Sequence, residues 1–366
     1  VSTSSTKNIL VMAGGTGGHI FPGLAVAHAL IEKGYSIHWL GSVGGMEQEL
    51  VSDDNITLHL LPIKGLRGKG MLELIKAPFR LISAISKALA IVRKTQPQLV
   101  IGFGGFASGP GGFAAGIARK PLIIHEQNAT AGLTNRILAR WANTVCEAFA
   151  GAFKATQATQ ATGNPLRKNI IDWVKNSEAK TVTKPLSLLI VGGSRGAKIF
   201  NDELPKLLVE WIQNNDIRVV HQTGKGNFES VSQQYGDEVQ SKKLVTVTEF
   251  IHDMDQAYSD CDFVICRAGA LTVSEVAAMG KPAIFVPYPW AVDDHQTMNA
   301  RFLSDKGAAF LVPQSDISEI SKHIQSLVEQ PTTLDSMAKM AQQQAELEAT
   351  DNIVAICEEV IGSKAA

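Results

Sequence analysis

The sequence predicts an α/β protein built from two Rossmann-like, doubly wound parallel-sheet domains, and three observations predict it. Asn8–Ala13 is an apolar run of buried-strand type, Gly14-Gly-Thr-Gly-Gly18 follows as a loop, and residues from about Pro22 to Lys33 have helical composition. The same order of strand, glycine loop and helix returns at Leu186–Val191, Gly192-Gly-Ser-Arg-Gly196 and a helix from near Lys198. Elsewhere, strand-like runs (Ser36–Leu40, Leu99–Phe103, Leu122–His125, Arg218–Gln222, Lys243–Thr248, Phe263–Cys266, Ala283–Val286) alternate with amphipathic stretches. That alternation is what parallel sheets covered by helices require.

Size and composition agree with two domains. The chain has 366 residues, against roughly 100–200 per domain. Thr162-Gly-Asn-Pro-Leu166 is the expected boundary, giving domains over residues 1–163 and 164–340, and a carboxyl-terminal helix over 341–366 expected to pack back on the first domain. Hydrophobic residues make up 45% and charged residues 19%, the balance of a globular protein. The net charge of -1 gives no global field for nucleic acid, so none is expected as a partner. Four cysteines without CxxC spacing read as buried thiols in a reducing compartment, not as a zinc site. No secretory signal is read at the amino terminus. The uncharged stretch Leu99–Ala118 carries seven glycines and Pro110, so it reads as strand, turn and helix start, not as a membrane span.

Glycine after a strand lets backbone N–H groups at a helix start approach phosphate. Gly15-Thr-Gly-Gly-His-Ile20 lacks the third glycine of the dinucleotide fingerprint, and the next strand ends in Trp39-Leu-Gly-Ser42 without the acid that holds a ribose. A nicotinamide cofactor is therefore disfavoured, and no GxxxxGK[ST] occurs. In Arg267-Ala-Gly-Ala-Leu-Thr-Val-Ser-Glu275, a strand ends in arginine and a helix begins with Thr272 near its cap. Arg267 and free N–H groups suit anionic oxygens there, and Glu275 suits two vicinal hydroxyls; the structural alternative is an Arg267–Glu275 pair at a helix start. Asp253-Met-Asp255 matches a metal-binding DxD in form, but a helix start favours aspartate anyway, so no metal site is expected.

Taken in order, Gly14-Gly-Thr-Gly-Gly-His19, Gly104-Gly105 with Ser108-Gly-Pro110, His125-Glu-Gln-Asn128, Gly163-Asn-Pro165, Gly192-Gly-Ser194, Thr248-Glu-Phe-Ile251, the 267–275 segment and Asp294-His-Gln296 with Asn299 closely resemble the MurG family. These are the bacterial peptidoglycan N-acetylglucosaminyltransferases, and the likeness runs over about residues 8 to 310. The resemblance implies a GT-B fold with an interdomain cleft, an acceptor-binding first domain and a nucleotide-sugar-binding second one. It implies transfer of GlcNAc from UDP-GlcNAc to the C4 hydroxyl of MurNAc-pentapeptide-pyrophosphoryl-undecaprenol (lipid I), giving lipid II with inversion and requiring no cofactor. It also implies that UDP-GlcNAc lies against Thr16, Gly17, Gly18, Asn128, Arg167, Ser194, Ile251, Ala270, Leu271, Thr272, Val273, Ser274, Glu275 and Gln296. Ser194 and Arg167 suit pyrophosphate, Ile251 with Phe250 suits uracil, Glu275 the ribose, and Gln296 with Asn299 a sugar rich in hydroxyls. Arg195 and Pro289–Val292 depart from the family pattern.

Direct inversion needs a base for the acceptor hydroxyl and stabilisation of the departing UDP. His19 is the candidate base, the other role open to it being to hold the acceptor pyrophosphate; Glu126 is the second candidate, its alternative being to organise its loop. Residues 64 to 94 hold eight basic residues and one acid among apolar ones. With a lipid-linked acceptor, the patch Lys69, Leu72, Ile75, Lys76, Phe79 and Arg80 is expected to sit on anionic lipid at the cytoplasmic face of the bacterial plasma membrane. Other proteins of wall synthesis are further candidate partners. Alternative readings are a UDP-GlcNAc epimerase, another GT-B transferase, or a non-catalytic UDP-sugar sensor.

Overall fold

A computed structural model describes residues 7–51, 55–63, 71–153, 158–176, 182–193, 196–236 and 243–363, and the side chains of 71–76 stand outside that description. Two compact units divide the chain: residues 1–167 with 346–366, and residues 168–345.

The first unit contains strands β1 (Asn8–Ala13), β2 (Ser36–Ser42), β3 (Ile56–Leu61), β4 (Leu99–Gly104), β5 (Leu122–Glu126), β6 (Thr144–Glu147) and β7 (Gln160–Ala161). Its helices within residues 1–167 are α1 (Gly17–Glu32), α2 (Glu47–Leu50), α3 (Met71–Thr95), α4 (Ser108–Ile117) and α5 (Leu133–Leu138). The strands pair in parallel in the order β3-β2-β1-β4-β5-β6-β7. Because successive side chains point to opposite faces, β1 feeds two cores. Ile9, Val11 and Ala13 pack with Val26 and Leu30 of α1, whereas Leu10 and Met12 pack with Ala88 and Val92 of α3 and Ala114 of α4. Both faces being covered explains why β1 is a nearly unbroken apolar run.

The second unit opens with α6 (Lys168–Asn176) and alternates β8 (Leu186–Val191), α7 (Lys198–Gln213), β9 (Ile217–Gln222), α8 (Phe228–Tyr235), β10 (Val245–Thr248), α9 (Met254–Asp260), β11 (Phe263–Cys266), α10 (Ala270–Ala278), β12 (Ala283–Phe285), α11 (His295–Ser304) and β13 (Ala309–Leu311). It ends with α12 (Ile320–Glu329) and α13 (Thr332–Gln342). The parallel order β10-β9-β8-β11-β12-β13 repeats that of the first sheet. Its core joins Leu188, Ile190, Phe263 and Ile265 to Phe200, Leu204, Leu208 and Ile212 of α7. The last helix, α14 (Ala349–Gly362), belongs to the first unit: Ile353 and Cys357 enter the core beneath α1, and Glu358 pairs with Lys33 at 2.6 Å.

Four strands go beyond the sequence reading. β6, β7 and β13 are too short to show a period, whereas β3 carries a visible alternation of Ile56, Leu58 and Leu60. Helix α1 starts at Gly17 and not near Pro22, which brings His19 into the first helical turn. The stretch 99–118 is β4, a glycine turn and α4, and no described helix is long and apolar enough to cross a membrane. All four cysteines are free and buried.

Candidate active site

In each sheet the strand order reverses beside its first strand, between β1 and β4 in one unit and between β8 and β11 in the other. Loops leaving neighbouring strands at such a point run in opposite directions and open a crevice at the strand ends, where doubly wound folds bind ligands.

In the first unit the β1–β4 register shifts between Met12 and Ala13, so Gly104 comes opposite Ala13. Trp39, wholly buried, donates from Nε1 to the Ala13 carbonyl at 2.9 Å and fixes the root of the glycine loop. The β4 turn then presses on that loop: Gly105, at φ +86°, has no room for a Cβ beside the Gly14 carbonyl, and a Cβ on Gly104 would stand 2.8 Å from Nδ1 of His19. Beneath the loop lies Glu47, with no exposed surface. It accepts from Gly15 N at 3.1 Å and from the Ser42 hydroxyl at 2.8 Å, as well as from Ser42 N. Burial alone would raise the Glu47 carboxyl, but these hydrogen bonds outweigh it and hold the group below its ordinary value. Sequence reading missed Glu47; the signal was an acid five residues beyond Ser42, which folds back under the loop instead of facing a ribose.

His19 sits half-buried on α1, its Nδ1 3.0 Å from Oε1 of Gln127. Gln127 Nε2 lies 3.0 Å from Nδ1 of His125, whose Nε2 is 2.9 Å from the Gly163 carbonyl. His125 is wholly buried, and burial pushes its pKa down to about 4 against the opposing effects of that carbonyl and Glu126. Glu126 is not placed as a base. One of its oxygens accepts from Asn128 N and Nδ2, the other from Gly132 N and from Asn135 Nδ2 at 2.8 Å, and only 3% of the residue is exposed. The carboxylate organises the loop that carries Asn128. Thr16 and Gly18 are exposed, and the Arg167 guanidinium stands 5.4 Å from the Phe21 ring centre.

The second crevice is built on backbone. Gly196, at φ +71°, packs on the Thr223 carbonyl and donates to Gly193 O at 2.8 Å, while Gln222 Nε2 donates to the same carbonyl at 3.0 Å. Ser194 and Arg195 lie outside the described residues. Across the crevice, α10 starts after Gly269, with Ala270 and Leu271 buried, Thr272 and Ser274 half-buried, Val273 in the core and Glu275 4% exposed. Glu275 accepts from the Tyr258 hydroxyl at 3.3 Å. Ile251 is half-buried beside exposed Phe250, and Gln296 Oε1 accepts from Tyr288 N at 2.9 Å.

Two sequence expectations are corrected here. Arg267 neither pairs with Glu275 nor turns its fork outward: Nη1 donates to the Val286 and Pro287 carbonyls at 3.0 and 3.1 Å, and Nη2 to Gln314 Oε1 at 2.7 Å. Its guanidinium also lies 4.9 Å from the Phe200 ring centre, so it anchors the end of β12. Asn299 has no exposed surface and donates to Ala268 O at 3.1 Å, a brace behind the β11 loop rather than a sugar contact. Asp255 accepts from Asn169 at 2.6 Å, and no group of three or more metal-ligating side chains occurs among the described residues. Of the basic apolar patch, Phe79 and Arg80 are exposed on α3; Lys69 and the side chains of Leu72, Ile75 and Lys76 lie outside the described residues.

Two parallel sheets of one order, each with a glycine loop at its switch point, define the class of the GT-B glycosyltransferases. Residues 9–147 match the glycosyltransferase family 28 N-terminal domain and residues 187–353 the family 28 C-terminal domain, and the chain belongs to this family. A relative from Pseudomonas entomophila (strain L48), named UDP-N-acetylglucosamine--N-acetylmuramyl-(pentapeptide) pyrophosphoryl-undecaprenol N-acetylglucosamine transferase, is 47% identical over 97% of this chain and 98% of its own. A relative of the same name from Shewanella loihica is 44% identical over 97% of each chain. The crystal structure of Acinetobacter baumannii MurG superimposes with a TM-score of 0.80 at 40% identity, over 96% of this chain and 99% of that one. The glycosyltransferase VinC in complex with dTDP, at 16% identity and a TM-score of 0.65, shares the fold.

Proposed function

We propose that the protein transfers GlcNAc from UDP-GlcNAc to the C4 hydroxyl of lipid I, forming lipid II for peptidoglycan synthesis with inversion at the anomeric carbon. The observation that carries this reading is likeness along the whole chain, in both units, to relatives named for that transfer. In the second unit, the start of α7 and the glycine loop before it receive the diphosphate, Ile251 and Phe250 receive uracil, and Glu275 holds the ribose. In the first unit, the α1 start and β4 turn receive the acceptor, and His19 takes the proton of its attacking hydroxyl. As the oxygen bonds to the anomeric carbon, the bond from that carbon to UDP breaks and its electron pair leaves with the diphosphate. Helix-start N–H groups stabilise the charge that forms there.

Membrane attachment follows from the acceptor. Phe79 and Ile82 on α3 are 74% and 63% exposed, and Ile117 on α4 is 57% exposed, so the first unit presents apolar side chains among basic ones. Such a surface binds anionic lipid at about 1 kcal/mol per suitably placed cation. Neutralising Lys76, Arg80 and Lys87 together is expected to weaken binding to anionic vesicles strongly; unchanged binding would remove the peripheral-membrane reading. The reaction itself is tested by mass spectrometry with UDP-GlcNAc and a short-chain lipid I analogue, with and without EDTA. Expected are UDP and a GlcNAc–MurNAc lipid, undiminished by EDTA; folded protein that binds UDP-GlcNAc and makes no such product would overturn the assignment.

A further inference from the structure

The chain of contacts behind His19 has a direction. A carbonyl only accepts, so at 2.9 Å from Gly163 O the Nε2 of His125 carries a hydrogen. Because burial keeps the His125 ring neutral, its Nδ1 has a lone pair and accepts from Gln127 Nε2 at 3.0 Å. The second hydrogen on that nitrogen goes to the His125 carbonyl at 3.2 Å, which independently fixes which end of the Gln127 amide is the donor. The remaining end, Oε1, accepts only, and it faces Nδ1 of His19 at 3.0 Å.

We infer that Gln127 and His125 are positioning residues which lock His19 as the Nδ1–H tautomer, so that its Nε2 lone pair is the one offered to the acceptor hydroxyl. The inference rests on the reading of His19 as the base. Free histidine in water prefers the opposite tautomer, with hydrogen on Nε2, so the network reverses an intrinsic preference. It does so from buried parts: the His125 ring packs tilted against Phe103, ring centres 5.6 Å apart, and the Gln127 carbonyl is held by Asn164 Nδ2 at 3.2 Å. An orienting group need not be charged. What the step requires is that the hydrogen on one ring nitrogen be spoken for, so that the other nitrogen receives the hydroxyl proton. Once protonated at Nε2, His19 keeps its Nδ1–H on the amide oxygen, so the relay needs no rearrangement during the step.

Nitrogen-15 NMR of the histidine-labelled protein tests this directly, at alkaline pH where free imidazole is neutral. The His19 resonances are assigned by their loss in His19→Ala. A pyrrole-type shift for Nδ1 and a pyridine-type shift for Nε2 are expected in the unaltered protein; the reverse assignment would overturn the proposal whether or not Gln127→Met folds. In Gln127→Met, which keeps the side chain's length and removes its three side-chain hydrogen bonds, the tautomer is expected to shift toward Nε2–H. Turnover should fall on the order of 100-fold, with the KM for UDP-GlcNAc unchanged. A folded Gln127→Met protein with the wild-type tautomer or the wild-type kcat would also overturn it. Full turnover in His19→Ala would instead remove the base reading beneath the proposal, and that result is separate from the nitrogen spectra.

Discussion

The two switch points share a strand order and a glycine loop, yet they are lined differently. Under the first loop lies a carboxylate: Glu47 takes the Gly15 N–H, and the adjoining helix turn carries a histidine wired to a neutral buried network. The second loop closes on itself, Gly196 N to Gly193 O, and is braced by amide and carbonyl groups of Gln222 and Thr223. In the first loop the Gly15 N–H is already taken by a buried carboxylate, whereas the described groups that brace the second loop are amides and carbonyls, which leave the partial positive charge of the α7 start for an anion. Duplication of one architecture has thus been divided by side chains into a site suited to moving a proton and a site suited to holding a diphosphate.

If that division is right, substitutions in the two crevices alter different kinetic constants. His19→Ala is expected to have the largest effect, lowering kcat by about 100- to 10,000-fold while UDP-GlcNAc binding, measured by calorimetry, stays near wild type. Lost nucleotide affinity in that variant would blur the distinction. Glu275→Gln is expected to act in the opposite way, since a hydrogen bond to a charged group contributes about 1.5–3 kcal/mol. That corresponds to a rise of roughly 10- to 100-fold in the KM for UDP-GlcNAc with kcat little changed. A fall confined to kcat would place Glu275 outside ribose recognition.

How far the sequence anticipates this depends on the range over which each feature is encoded. Strand, glycine loop and helix follow one another within about thirty residues, so both switch points can be read locally. The linkage of His19 to Gln127 spans 108 positions and no local pattern marks it; that of Gly15 to Glu47 spans 32, and only the spacing of Glu47 from Ser42 hints at it. Arg267 shows the converse: its place at a strand end suits an anion, but the carbonyls of Val286 and Pro287 come within reach only once β12 is laid beside β11. Asn299 behaves like Arg267, its amide taken by the distant Ala268 carbonyl, whereas the carboxylate of Glu126 is taken up close by in the chain, by Asn128, Gly132 and Asn135.

Glu47 allows the finest test of the contrast, because it is an ionised group beneath one loop with no counterpart among the described residues beneath the other. In Glu47→Gln the amide hydrogens must face donors at Gly15 or Ser42, and leaving such a buried group unsatisfied costs about 1–3 kcal/mol. The sign of the pH dependence follows from the direction of the shift. Since the folded-state carboxyl lies below its ordinary value of 4.5, its contribution is fully present above that value and is lost as pH falls through the folded pKa. Thermal melts should therefore show the gap between wild type and Glu47→Gln widest near neutrality and closing in acid, whereas Gln222→Met, beside the second loop, should give a gap that does not change with pH over the same range. A Glu47→Gln gap that is constant with pH would mean that Glu47 supports the loop by shape alone, and the electrostatic difference between the two crevices would have to come from elsewhere.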